Sequence, residues 1–361
     1  MHTSSHPLLT VIIPALNEAE TLPALLKDLH KQNEVSLEII IGDGGSVDAT
    51  RSVAESFDVQ WMRTASGRGA QMNAAVQRAT GDYYLFVHAD SRIDDPDLLG
   101  NALRILRIAE SEAPPVAGHF CLRFMRSTKR NSLAYRYIEA KTALNRPGTT
   151  NGDQGLLLAA AFFHHLGGFD QSLPFLEDQR IAEKIRSQGR WITLPGVLKT
   201  SARRFESEGF HRRYLLMSMM MGLYNIGELS FFERAPGVYR QQQETGKLRL
   251  SPFLGLIWQM IRQDWGLAGT FRIFYRLGRY IRRNSWQPFF WVDVALRPLL
   301  GPKRSPLLRF HDRIVAPCTD LRILNALTGL LCFIWYMVVL ASFFRLTETM
   351  QPRSRNRNKP V

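Results

Sequence analysis

Three short apolar runs punctuate the first ninety residues: Leu9 to Ile13, Leu37 to Ile41 and Tyr83 to Val87. Each is β-branched or aromatic and bounded by turn residues, the pattern of strands buried on both faces. Between them the apolar period lengthens to that of helices. Asn17 is placed to cap a helix carrying Leu22, Leu25, Leu26 and Leu29 on one stripe, with Pro23 near its first turn. A second helix is expected to open at Ser46 and carry Val53, Ala54 and Phe57, and a third to follow Gly69 with Met72, Ala75 and Val76. Strands alternating with helices of this length predict an α/β fold with a doubly wound, mostly parallel sheet, which binds ligands at the carboxyl ends of its strands.

A carboxylate-bearing turn follows each run: ALNE, GDGGSVD and HAD. Glycines at 42, 44, 45, 67 and 69 allow close approach of backbone to a ligand, the expected helix starts favour an anion, and Arg68 adds a fixed positive charge. Asp90, with Asp94 and Asp95 a few residues on, offers hard oxygen ligands to a divalent cation that a diphosphate would share. Taken singly, Asp43, Asp48 and Asp90 serve equally well as turn and cap formers. Together at one sheet edge they suit a nucleoside diphosphate with Mg2+ or Mn2+.

The series Val11-Ile12-Ile13-Pro14-Ala15-Leu16-Asn17-Glu18, Gly42-Asp43-Gly44-Gly45-Ser46 with Asp48, and His88-Ala89-Asp90 resembles the family-two inverting glycosyltransferases of GT-A fold. Within that family, Gly67 to Asn73, Gly152-Asp153-Gln154, Phe175 to Asp178 and Ser201 to Phe205 are most similar to the group associated with arsenosugar biosynthesis. The likeness covers roughly the first 240 residues. It implies that Pro14, Asn17, Glu18 and Asp43 contact base and ribose, and that Gly45, Arg68, Gln71, Asn73, His88, Asp153 and Arg204 join the donor-binding set. Asp90 would be the metal ligand, in a site that has His88 where the family carries its first aspartate. The catalytic base would be Asp178, with Glu177 orienting it or binding acceptor. The local pattern suits that placement, because Leu176, Ile181 and Ile185 fit the buried side of a helix that Gly189 can end. A plain acidic first turn, worth about 0.3–1 kcal/mol to a helix dipole, is the alternative reading of the same pair.

Charge and hydropathy separate the two ends of the chain. Residues 1–100 hold 7 Lys and Arg against 14 Asp and Glu, whereas residues 201–361 hold 25 against 10. The charge-free run Ile323 to Phe344, 22 residues long, is long enough to cross a bilayer. Its Leu, Ile, Val and Phe residues would contribute roughly −4 to −7 kcal/mol to insertion. A buried core helix or a helix lying at the interface would read similarly. Arginines at 272, 276, 279 and 283 form one stripe of a basic amphipathic helix, opposite Phe271, Phe274, Leu277 and Ile281. Trp286 to Leu300, interrupted by Asp293, Arg297 and Pro298, reads as interfacial. Cys121, Cys318 and Cys332 fit neither a disulfide framework nor a zinc site, and Met1 to Pro7 carries no secretory pattern.

The expectation is thus a catalytic domain over residues 1–240, followed by a mainly helical, basic, membrane-associated region over 241–361 with a transmembrane helix at 323–344. Its partners would be a nucleotide-sugar donor, here a UDP-sugar, an unknown acceptor that the anchor suggests is lipid-linked, and membrane lipids, with no nucleic acid. The setting would be the cell membrane with the catalytic domain on the cytoplasmic side. Two other functions share much of this pattern: a nucleotide-binding membrane adaptor without turnover, and a sugar nucleotidyltransferase, which would carry a glycine-rich basic loop where Pro14 to Glu18 stands.

Overall fold

The computed structural model describes residues 8–112, 115–172, 175–240, 247–301 and 304–349. The chain divides into two compact units, Met1–Ala202 and Arg203–Val361. Residues 203–240, grouped with the first domain on sequence, fall in the second unit. Lys303 and the basic positions Arg353, Arg355, Arg357 and Lys359 lie outside the described residues.

The first unit is built on seven strands: β1 (Leu8–Ala15), β2 (Ser36–Asp43), β3 (Gln60–Arg63), β4 (Tyr83–Phe86), β5 (Val116–Met125), β6 (Leu156–Ala159) and β7 (Arg190–Ser201). Their order is β3-β2-β1-β4-β6-β5-β7. The half β3-β2-β1-β4 is parallel, β6 runs antiparallel to β4 and β5, and β7 is parallel to β5. The expected fold class therefore holds, with one antiparallel strand inserted near the centre. Alternate residues of each strand enter different cores, as a period of two requires. Leu9, Val11 and Ile13 pack on one face with α1 (Leu22–Leu29), α2 (Thr50–Glu55) and α4 (Leu98–Glu112). Ile12 and Ile40 pack on the other with α3 (Arg68–Val76), α6 (Ala160–His165) and α7 (Glu177–Gln188). The remaining helix of this unit, α5 (Ser132–Thr142), lies against β5.

The predicted strands are present, but two helix starts move. Asn17 is no cap. It takes a left-handed φ of 55° in the turn after β1, and α1 begins at Leu22 behind Thr21. The backbone of Asn17 donates to Ser46 Oγ at 2.8 Å, and its side-chain oxygen accepts from Val47 N at 2.9 Å. Ser46 is thereby tied to the neighbouring turn, and α2 waits until Thr50, behind Ala49, with Thr50 N donating to Asp48 Oδ1 at 3.0 Å. The short edge strand β3 was not anticipated.

In the second unit, α8 (Arg203–Glu208), α9 (Phe210–Asn225), α10 (Ser230–Arg240), α11 (Ser251–Met260), α12 (Gly266–Arg283) and α13 (Trp286–Ala295) accompany a long helix, Arg322–Thr349. That helix contains the predicted apolar run and is, among the described residues, the one helix long and apolar enough to cross a membrane. It packs tightly on α12: a Cβ at Gly278 would lie 2.1 Å from the carbonyl oxygen of Asn325, and one at Gly329 would lie 2.4 Å from that of Phe274. The stripe expected on α12 is present in its arginines and in buried Phe274 and Leu277, whereas Phe271 and Ile281 are exposed. Two polar ties hold the long helix. Arg282 Nε donates to Asn325 Oδ1 at 2.7 Å. Near the other end buried Glu348 accepts from Leu250 N at 2.9 Å and Ser251 N at 3.1 Å, the first turn of α11, and pairs with Arg212. Asp293, read earlier only as an interruption, accepts from Leu307 N and Leu308 N at 3.0 and 2.8 Å.

Gly42, at the carboxyl end of β2, tests how tightly the sheet edge is set. A Cβ there would meet the main-chain oxygen of Gln71 on α3 at 2.7 Å. Gly42→Ala is expected to destabilise the chain by about 1–3 kcal/mol through overpacking, read as a drop in its unfolding temperature. An unchanged temperature would mean that α3 can shift without cost.

Candidate active site

The carboxyl ends of β1, β2, β3 and β4 share one edge, and two clusters form there. The first zips the turn after β1 to the turn after β2. Besides the Asn17 bonds, Glu18 N donates to Thr50 Oγ1 at 2.9 Å and Ala19 N to Asp48 Oδ2 at 3.1 Å. Asp43 is 2% exposed and accepts from Gly45 N, Ser46 N and the Trp61 indole N–H at 3.0, 2.8 and 3.2 Å. It is at once a turn former and a fixed acceptor at the edge. Pro14 is buried within β1, opposite Gly42, and Gly45 takes a φ of 99° that favours glycine. Gln71 and Asn73 brace this arrangement. The Gln71 amide donates to Ala15 O and Gly42 O at 2.7 and 2.9 Å, joining β1 to β2, while Asn73 clamps the main chain of Phe169 in both directions.

The second cluster joins residues far apart in sequence. Arg68, the first residue of α3, sets its Nε 2.9 Å from Glu177 Oε1 at the start of α7. Its NH1 donates to His88 Nε2 at 3.3 Å, which assigns the proton to His88 Nδ1, 2.8 Å from Asp153 Oδ1. Asp178 accepts from Gly152 N at 2.7 Å and from Gln179 N at 2.8 Å. Position 152 has no room for a side chain, since a Cβ would lie 2.9 Å from His88 Nε2. The 3-10 turn Gly152–Gln154 thus fits between His88 and Asp178.

Burial raises the Glu177 carboxyl above its ordinary range, and neighbouring Asp178 adds to that, against Arg68. Arg68 is the converse case. Burial works against its charge, yet Glu177, Asp178, Asp153 and Asp90 together hold its pKa above the ordinary value. Asp90, half-buried after β4, therefore belongs to the same electrostatic cluster. Asp94 and Asp95 do not join it: Asp94 pairs with Lys199, and Asp95 Oδ1 accepts from Asp97 N. Among the described residues no group of three or more His, Cys, Asp or Glu could hold a metal ion. The donor set fits a divalent cation only in the manner of Mg2+, bound by one carboxylate with waters and phosphate oxygens completing its shell.

His88, Glu177 and Asp178 border a cleft open to solvent, whose other walls include Met72, Phe86, Gly152, Phe169, Ile181 and Trp191. The buried Trp191 indole N–H has no hydrogen-bond partner among the described residues. Sequence reading missed Trp191, because an aromatic at the start of a strand carries no motif. It also saw the Gly152 motif without the role of its amide. The remaining predicted residue, Arg204, is exposed on α8 in the second unit, outside the unit that carries these clusters.

Residues 10–153 match the family described as Glycosyl transferase family 2. The chain is similar to a PGL/p-HBAD biosynthesis glycosyltransferase of Mycobacterium bovis, 35% identical over 100 residues, 26% of this chain and 39% of that protein. It is also similar to an uncharacterized glycosyltransferase of Rickettsia conorii, 26% identical over 194 residues, 50% of this chain and 31% of that one. The chain thus spans less than two fifths of the length of these curated relatives. Among solved structures, a mannosyltransferase of Pyrobaculum calidifontis in complex with GDP-Man and Mn2+ aligns at 17% identity over 94% of this chain and 88% of that one, with a TM-score of 0.47. TarS 1-349 of S. aureus in complex with UDP aligns at 16% over 89% and 90%, with a TM-score of 0.46. The segment that matches the family 2 description holds the whole edge from Pro14 to Asp153, and the Glu177-Asp178 pair lies beyond it.

Arg68→Met would leave Glu177 buried without its cation. A carboxyl whose folded pKa is raised costs stability once pH climbs past its unfolded value, so the deficit should be small near about pH 5 and reach about 1–3 kcal/mol near about pH 7, the low end allowing for the half-exposed guanidinium. Melting temperatures at the two pH values read this directly. Equal losses at both would show that Arg68 contributes packing rather than charge.

Proposed function

We propose that this chain is a membrane-associated, inverting hexosyltransferase of family two, akin to the arsenosugar-associated group, which moves a sugar from a UDP-sugar to an acceptor hydroxyl. The supporting observation is the cluster itself. A carboxylate, Asp178, is held by main-chain amides at the rim of a cleft, with the Arg68 guanidinium and Asp90 at the same edge. Inversion requires a base opposite the departing diphosphate, and Asp178 accepts the acceptor's proton as the new bond forms at the anomeric carbon. Gly152 N–H keeps that carboxylate aimed, and Glu177 holds Arg68 in place. Arg68 stabilises the charge that develops on the leaving phosphate. Asp90 would hold a Mg2+ or Mn2+, which when bound neutralises diphosphate charge. Pro14, Asn17, Glu18, Asp43 and Gly45 shape the nucleoside end of the donor site, and the apolar walls with the Trp191 N–H favour an acceptor whose hydroxyl is borne on an apolar body. The helical unit associates with membrane lipids, the catalytic unit facing the cytoplasm, where nucleotide sugars are made.

The test is nucleotide release from UDP-, GDP- and dTDP-sugars by the detergent-solubilised chain with Mn2+ or Mg2+. Asp178→Asn is expected to lower turnover by about 10^2- to 10^4-fold while leaving UDP binding intact. Asp90→Ala is expected to remove the response to metal. Nucleotide binding with no release from any donor, across a panel of acceptor alcohols, would favour an adaptor over an enzyme.

A further inference from the structure

The long helix Arg322–Thr349 presents two faces of opposite character. Asn325, Gly329, Met337, Leu340, Phe344 and Glu348 pack into the helical unit. On the other side Ile323, Leu327, Leu331, Trp335, Val338 and Leu346 are 66, 49, 66, 50, 52 and 62% exposed, a continuous apolar stripe of the kind that marks an interaction surface. What covers the stripe is constrained by α12. Phe274 meets Gly329, Gly278 meets Asn325, and Arg282 reaches both Asn325 and Asp320, so the two helices run antiparallel in close contact. On α12 the packed positions are Ile273, Phe274, Leu277, Gly278 and Arg282, and the exposed arginines 272, 276, 279 and 283 lie on the opposite side.

Were the helix to stand upright across a bilayer, its segment from 325 to 333 would enter hydrocarbon and carry α12 with it. The four arginines would then face acyl chains, the costliest place for them. Laid flat, the same pair is layered by polarity: apolar stripe, then the helix contact, then arginines, over the thickness of two helices. Residues 203–361 hold 25 Lys and Arg against 10 Asp and Glu, a net positive charge that suits an anionic surface. Exposed Trp258 and Trp291 add side chains that favour the headgroup level.

We propose that the helical unit docks in the plane of an anionic bilayer, with the exposed stripe of Arg322–Thr349 sunk among the acyl chains and both ends of that helix on one side. In-plane docking rests on the membrane association proposed above and replaces the single span expected from hydropathy. Cys318, exposed just before the helix, and Thr349→Cys at its other end mark the two sides. The full chain is expressed, and an impermeant maleimide is applied to spheroplasts before and after lysis. Peptide mapping reads each cysteine separately. The expected result is a membrane-bound protein whose two positions change reactivity together on lysis, to within about twofold, as a helix lying at one interface requires. One position reacting in intact spheroplasts and the other only after lysis would establish a span and overturn in-plane docking while leaving membrane association standing. Recovery of the protein in the soluble fraction would refute both. Thr349→Ala, fractionated in parallel, shows whether residue 349 itself alters membrane binding.

Discussion

Glu177 and Asp178 are adjacent carboxylates at the start of one helix, and Glu177 has almost no contact with water. Such a pair is tolerable only beside a cation, and Arg68 supplies it from the start of a second helix on the same face of the sheet. The shared core beneath, to which Met72 and Val76 of α3 and Ile181 and Ile185 of α7 all belong, sets the two helix starts on the same face. From that ion pair the rest of the cluster follows. Arg68 selects the His88 tautomer, His88 fixes Asp153, and the turn that bears Asp153 offers the Gly152 amide to Asp178. Through these links buried Glu177 and half-buried His88 and Asp178 are paired.

The strands of the first unit were legible because β-branched runs bounded by glycine and aspartate admit few other structures. The helix starts were less so. Asn17 and Ser46 are good caps by residue type, but each finds a partner in the other's turn, and a contact across 29 residues leaves no local trace. The antiparallel β6 was hidden for the same reason, since Leu156 to Ala159 reads alike in either direction. At the site, residue types pointed to carboxylate and phosphate chemistry, while the distinction between bracing and exposed groups was unreadable. Gln71 and Asn73 sit in a motif beside Arg68, yet their amides hold main chain, and only Arg68 faces the cleft-side cluster.

The second unit shows what hydropathy alone omits. A run of 22 uncharged residues has the length of a bilayer span, but the partner it packs on decides where it can lie. The glycines at 278 and 329, unremarkable in sequence, bring α12 so close that its arginines would be carried into a bilayer if the apolar helix crossed one.

The Glu348 contact has a practical side. The carboxylate that satisfies the first amides of α11 arrives from nearly a hundred residues further along the chain, in the last described turn of the apolar helix. Removing that helix to obtain a more soluble fragment would therefore also strip the N-terminal cap from α11 and leave Arg212 without its carboxylate. The stretch that looks most like a detachable tether is a structural part of the fold it would be cut from.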